Sequence, residues 1–217
     1  MEIPYNVELR KDTGLYNSKL GIWLFLASEI MLFGGLFSAY ILLRTGAPVW
    51  PPIGEHGSIL NMLKETVPHA TFNTVLLILS SVTMVMAYAN IVEKNRPRAT
   101  LYLALTVIGG ALFLCGQMQE YWGTFHFLFS GEHAHGLIAN GLIFGKSHYA
   151  TTFYVITGFH GCHVLTGVIY LTIMLGRTMA GKYDDGDFNQ IEIAGLFWHF
   201  VDLVWILVFT LIYLIPN

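Results

Sequence analysis

Four side chains able to do proton or metal chemistry, His160, His163, His199 and Asp202, stand inside runs otherwise apolar enough to cross a bilayer. These runs are TGFHGCHVLTG (157–167) and WHFVDLVWILVF (198–209). An Asp at the centre of a membrane helix costs roughly 2.5 to 3.5 kcal/mol on insertion scales, so such a group implies a partner or a function. Two histidines with carboxylates nearby are formally able to bind zinc, copper or iron. A protonatable series can equally relay protons, and hydrogen bonding between helices is the plain structural alternative. Bis-histidine haem is disfavoured, because neighbours on one helix cannot reach an iron from opposite faces. Neither a nucleophile elbow nor a Gly-rich phosphate loop is present.

The elements that must position these groups follow from composition. Hydrophobic residues make up 54% of the 217 and charged ones 12%, and the mean hydropathy is +0.57. Soluble domains carry about 25% charged residues. A hydrocarbon core of about 30 Å needs roughly 20 helical residues. Five stretches meet that length, at about 20–43, 71–92, 99–121, 150–175 and 192–215, which predicts an all-α membrane protein, a single domain of five transmembrane helices. Short alternating segments of the kind a transmembrane barrel needs are not seen.

The longer connections, 44–70 and 122–149, fall on one side. With the N-terminus cytoplasmic, the inner segments hold Arg10, Lys11, Lys19, Lys94, Arg96, Arg98, Arg177 and Lys182, and the outer ones only Arg44, Lys64 and Lys146. The positive-inside rule then predicts a cytoplasmic N-terminus and a periplasmic C-terminus. Residues 1–19 show no apolar core of a signal peptide, so the first span reads as an uncleaved helix. The net charge of −3 gives no basic surface for nucleic acid.

Within the spans, Glu29 lies about 13 Å from the inner side, and His160 and Asp202 about 15 Å in, so the three meet near the midplane. His160 and His163, three apart, are expected to share a face. Glu192, Gly195, His199 and Asp202 follow spacings of three and four, a polar seam that should face protein. Gln117 and Glu120 sit near the outer end of the third span, and Glu192 at the inner rim. Cys115 and Cys162 read as small packing residues. In the outer connections, PVWPP (48–52), GEHAHG (131–136) and an apolar patch from Leu137 to Phe144 stand out, and Asp184 to Asp187 reads as a solvated inner turn.

At these residues the chain resembles subunit III of the haem-copper terminal oxidases, in the short bacterial form with five spans. The matching pieces are FLASEIMLFGGLFSAY (25–40), WPP (50–52), Asn73-Thr74, QMQEYW (117–122), TGFHGCHVLTG (157–167), Glu192 and WHFVDLVWI (198–206). The resemblance implies a non-redox accessory subunit without haem, copper or other cofactor of its own, and without a catalytic or metal site. It implies a place beside oxidase subunits I and II in the bacterial plasma membrane, in an enzyme that reduces oxygen to water. It also implies support of proton uptake and of turnover stability, and bound phospholipid. On that basis Glu29, His160, His163, Glu192, His199 and Asp202 become helix-bridging or lipid-cleft groups, and Arg177 and Lys182 headgroup contacts.

Some features depart from the pattern. The two N-terminal helices of the seven-span form are missing, Ser38 stands where that form has Trp, and Leu42 where it has a headgroup-binding His. The long 123–148 segment, with its GEHAHG run and apolar patch, is a candidate contact for a partner particular to this organism's respiratory chain; a respiratory supercomplex with a quinol:cytochrome c oxidoreductase is a separate candidate partner. The Glu29 form of the first span and the TGFHG run are more similar to the cytochrome c branch, with a quinol oxidase as the runner-up. From another class, a stand-alone proton-conducting or metal-binding membrane protein remains the alternative.

Overall fold

A computed structural model describes residues 16–50, 53–54, 57–123, 136–138, 141–183 and 188–215. The first fifteen residues, most of the GEHAHG run and Asp184 to Asp187 lie outside the described residues. The chain forms five long helices: α1 (Asn17–Gly46), α2 (Ile59–Val92), α3 (Arg96–Trp122), α4 (His148–Met179) and α5 (Asn189–Val208). A π-helical turn, Phe209–Leu214, continues α5, and a two-residue antiparallel bridge pairs Ile53–Gly54 with Gly57–Ser58. All five helices are long and apolar enough to cross a membrane.

The helix ends follow local chemistry. Pro97 sits in the first turn of α3, where its missing N–H is no loss, and Gly123 closes the helix at φ 66°. The Ser147 hydroxyl caps α4 by accepting from the Ala150 N–H at 3.0 Å. Between α2 and α3 only Glu93, Lys94 and Asn95 intervene, with Lys94 at φ 58°, so these two helices form a hairpin and the most extensive packing pair. Helix α2 accommodates Pro68 in its interior and begins at Ile59, well before the stretch read from hydropathy. A segment placed in the outer connection is therefore helical.

Helix α5 is the hub. Its residues Ile191, Trp198 and Trp205, with Ile212 of the π-helical turn that continues it, recur every seventh position and are all at most 1% exposed. The Trp198 indole lies against glycines of two neighbours. A Cβ on Gly110 of α3 would meet the ring at 2.5 Å and Val168 at 2.7 Å, and one on Gly167 of α4 would meet the ring at 2.9 Å. Its Nε1–H donates to the Ser80 hydroxyl of α2 at 3.2 Å. Two turns on, the Trp205 Nε1–H donates to Thr74 of α2 at 2.9 Å. Phe113 of α3 meets that ring edge-on at 4.7 Å.

Helix α1 is peripheral. Its buried residues are Leu26, Phe33 and Tyr40, one every two turns, and it packs mainly on α4 and α5. With so narrow an apolar stripe, polar contacts carry much of its attachment. Asn189 donates to Ser18 at 2.6 Å, Arg44 donates to the Ile215 carbonyl, and the Tyr40 hydroxyl donates to the Leu211 carbonyl at 3.3 Å.

Overpacking a close-fitted site costs about 1 to 3 kcal/mol. Gly110→Ala is therefore expected to lower the thermal midpoint of the detergent-solubilised protein clearly. Gly35→Ala, with nothing within 4 Å of its added carbon, is expected to leave that midpoint within error.

Candidate functional site

The nearest approach to a reactive centre lies midway along α1, where α4 brings His163 Nε2 to 2.9 Å from Glu29 Oε2. The two side chains are 16% and 14% exposed. On the other side of the ring, Nδ1 is 2.8 Å from the Phe159 carbonyl. A carbonyl only accepts, so Nδ1 carries a hydrogen, and the Nε2 contact requires one further proton shared with Glu29. Whichever atom holds that proton, the pair as a unit is neutral, the cheapest arrangement in a low dielectric. Phe33 meets the imidazole edge-on at 5.3 Å, and Phe197 stacks at 6.4 Å.

Beside the pair runs a groove of about 460 Å³ between α1, α4 and α5, walled by Ile22, Phe25, Cys162, Thr166, Tyr170 and Phe197. Its wall is largely apolar, with the Glu29–His163 pair as its ionisable feature. Such a surface suits an acyl chain better than a polar substrate.

The other residues singled out from the sequence fall into separate places. His160, three residues before His163, does not join Glu29. It is fully buried, with its ring 5.0 Å from Trp205 and edge-on to Phe113 at 5.8 Å. Three residues advance a helix by about 300°, and the remaining 60° turns one histidine to the groove and the other into the core. The seam on α5 faces mainly α2. Gly195 lies against Met84, and His199 Nδ1 is 2.6 Å from the Ser81 hydroxyl. Asp202 lies beside the same Ser81 and His199.

At the end of the bundle where α1 and α5 begin, Glu192 pairs with Lys19 of α1 at 2.7 Å. Lys19 and Ser81 were not among the sequence candidates. Lys19 reads only as a flanking charge, and Ser81 as one hydroxyl in an apolar span. Arg177 lies over the Tyr183 ring at 5.8 Å, while Lys182 is exposed beside it. Gln117 donates to Glu120 at 3.3 Å, and both are buried. Cys115 and Cys162 are unpaired and exposed on the outside of the bundle, so neither is a packing residue of the core.

The segment before α4 folds back over the end of α3. Leu137 N–H donates to the Glu120 carbonyl at 2.9 Å and Tyr154 to the Leu142 carbonyl at 2.7 Å. Of the apolar patch, Leu137 and Leu142 are buried while Ile143 and Phe144 are exposed.

Among the described residues no group of three or more His, Cys, Asp or Glu is placed to hold a metal ion. The contacts link helices instead: α1 to α4, α1 to α5, and α5 to α2. That defines a multi-pass helical membrane protein in which Glu29 with His163, Lys19 with Glu192, and Ser81 with His199 bridge its own helices, while the His160 ring packs against aromatic neighbours.

Comparison with known proteins gives the family. Residues 11–216 match the family model described as Cytochrome c oxidase subunit III. The cytochrome c oxidase subunit 3 of Synechocystis sp. is 37% identical over 196 residues, 90% of this chain and 74% of that protein. The same subunit of Thermostichus vulcanus is 37% identical over 201 residues, 91% of this chain and 87% of that one. The probable subunit 3 of Mycobacterium leprae is 35% identical over 197 residues.

The chain belongs to the cytochrome c oxidase subunit III family. It is an accessory subunit III of the haem-copper oxidases, a multi-pass membrane protein of the respiratory chain that associates with other oxidase subunits.

Hydrogen bonds between membrane helices average about 0.6 kcal/mol by double-mutant cycle. A cycle of Ser81→Ala against His199→Ala is expected to return a coupling of about that size. Additive losses would separate the two residues.

Proposed function

We propose that this chain is subunit III of a cytochrome c oxidase of a bacterial plasma membrane, seated beside subunits I and II, which hold the haem and copper. The observation that carries this reading is the family match along nearly the whole chain, at residues 11–216. The relatives named cytochrome c oxidase subunit 3 favour cytochrome c as the electron donor. In this reading the chain performs no bond-making chemistry. It supports proton uptake into the catalytic subunit and prolongs its active life.

The residues assigned to that role are Glu29, His160, His163, Glu192, His199 and Asp202. Glu29 and His163 form a neutral clasp on the wall of the 460 Å³ groove, and a phospholipid acyl chain is the occupant that wall suits. Arg177 and Lys182 lie near the inner end of α4, where a headgroup phosphate finds a cationic partner. The N-terminus is cytoplasmic and the C-terminus periplasmic. The charge pattern supports this, because Lys19, Lys94, Arg96, Arg98, Arg177 and Lys182 belong to one end of the bundle and Arg44 and Lys146 to the other.

Glu29→Ala removes the clasp from α1 while leaving haem and copper untouched. The expected result in the assembled oxidase is a normal initial rate of electron transfer, with slower proton uptake or a shorter active lifetime over many turnovers. An unchanged rate, uptake and lifetime would count against the role.

A further inference from the structure

His199 differs from His160 and His163 in having a ring nitrogen that the chain itself leaves open. Both nitrogens of His163 are bonded, to the Phe159 carbonyl and to Glu29, and both nitrogens of His160 are enclosed in the core. His199 meets the Ser81 hydroxyl through Nδ1 at 2.6 Å. Its Nε2 is not enclosed, and it has no hydrogen-bond partner among the described residues. The residue is half-buried, at the surface of the bundle where α5 lies against α2.

Depth and surroundings make this position unusual. Ten residues into α5, His199 lies about 15 Å along the helix, half-way through a hydrocarbon core of about 30 Å. Leu203 and Ile206 follow it along α5, 58% and 43% exposed, and Ile78 and Val85 flank Ser81 on α2, 41% and 52% exposed. The face is apolar with one polar island. Thr71, Thr172 and Thr210 also stand on outer faces, but each donates its hydroxyl to the carbonyl four residues back in its own helix. An imidazole whose Nδ1 is held by Ser81 has no such internal partner for Nε2.

Either tautomer leaves a need. If Ser81 donates to Nδ1, Nε2 carries the N–H; if Nδ1 carries the hydrogen, Nε2 presents a lone pair. At mid-depth a phospholipid offers only methylene and methyl groups, and a polar group left unbonded in hydrocarbon is costly. A polar side chain on a neighbouring membrane helix meets the need, and such side chains commonly join membrane helices. We propose that the α2–α5 face around His199 docks a transmembrane helix of another oxidase subunit, which brings a hydroxyl or amide side chain to His199 Nε2. Either group can both give and accept a hydrogen bond, so it fits both tautomers. The inference rests on the reading of this chain as an oxidase subunit and deepens it by naming the face and the contact.

Photocrosslinking in the intact oxidase reads the face directly. With p-benzoylphenylalanine in place of Leu203, one turn from His199, illumination is expected to join this chain to one other subunit of the purified complex. His199→Ala in the same background should lower that adduct several-fold, and His199→Gln, which restores a side chain able to give and accept, should recover most of it. Ser81→Ala, which removes the bond inside the chain and leaves Nε2, should keep most of it. If the Leu203 replacement does not assemble, the same reporter at Val85 of α2 carries the test. A complex that purifies with its haem-bearing subunits but yields only lipid adducts would overturn this contact alone, as would an adduct indifferent to His199→Ala. A chain that purifies free of haem-bearing subunits would overturn the contact and the oxidase reading together.

Discussion

In a bilayer the Trp198 indole gains nothing by leaving lipid merely because it is apolar, since acyl chains are as apolar as neighbouring side chains. What holds it is fit and one hydrogen bond. Gly110 and Gly167 omit the side chains that would collide with the ring, and Ser80 accepts its N–H. One residue of α5 thereby sets the separation of α2, α3 and α4. Trp205 repeats the device two turns later with Thr74 and Phe113. The positions of His160, His199 and Asp202 depend on that register, since all three lie on α4 or α5 between or beside the two indoles.

The polar groups then divide by the pair of helices they join. Lys19–Glu192 at one rim and Glu29–His163 at mid-depth hold α1, whose apolar stripe is too thin to hold it alone. His199 and Ser81 link α5 to α2. The Glu29–His163 pair shares one proton and carries no net charge, which makes a carboxylate tolerable inside a membrane. The same pair borders an open apolar groove, so α1 is both clasped and exposed, as befits the edge of a subunit that meets lipid and other chains.

Much of this was legible from residue order. Five apolar stretches gave five helices, because hydropathy over about 20 residues is set by the bilayer itself. The motif pieces around Glu29, Gln117, His160 and Asp202 pointed to the subunit III family, to which the chain belongs. The parting of His160 from His163 was not legible. A spacing of three reports a shared face only to within about 60°, and the neighbours decide what each edge of that face meets. Nor could spacing tell that the α5 seam turns to α2, which depends on the close approach at Gly195 and Met84. Helix α2 begins earlier than hydropathy alone indicates because the polar residues before Val67, among them Lys64, Glu65 and Thr66, suit a helix beyond the apolar core as well as a loop.

The central claim is that Glu29, His163, Glu192 and His199 join helices of an accessory subunit and hold no redox centre. Its most direct test is to purify the tagged chain in mild detergent, record the haem spectrum and metal content, and then separate the subunits in a harsher detergent. The account predicts that haem and copper accompany the chain in the first step and remain wholly with its partners in the second. Haem, or a stoichiometric metal, retained by the separated chain would contradict it.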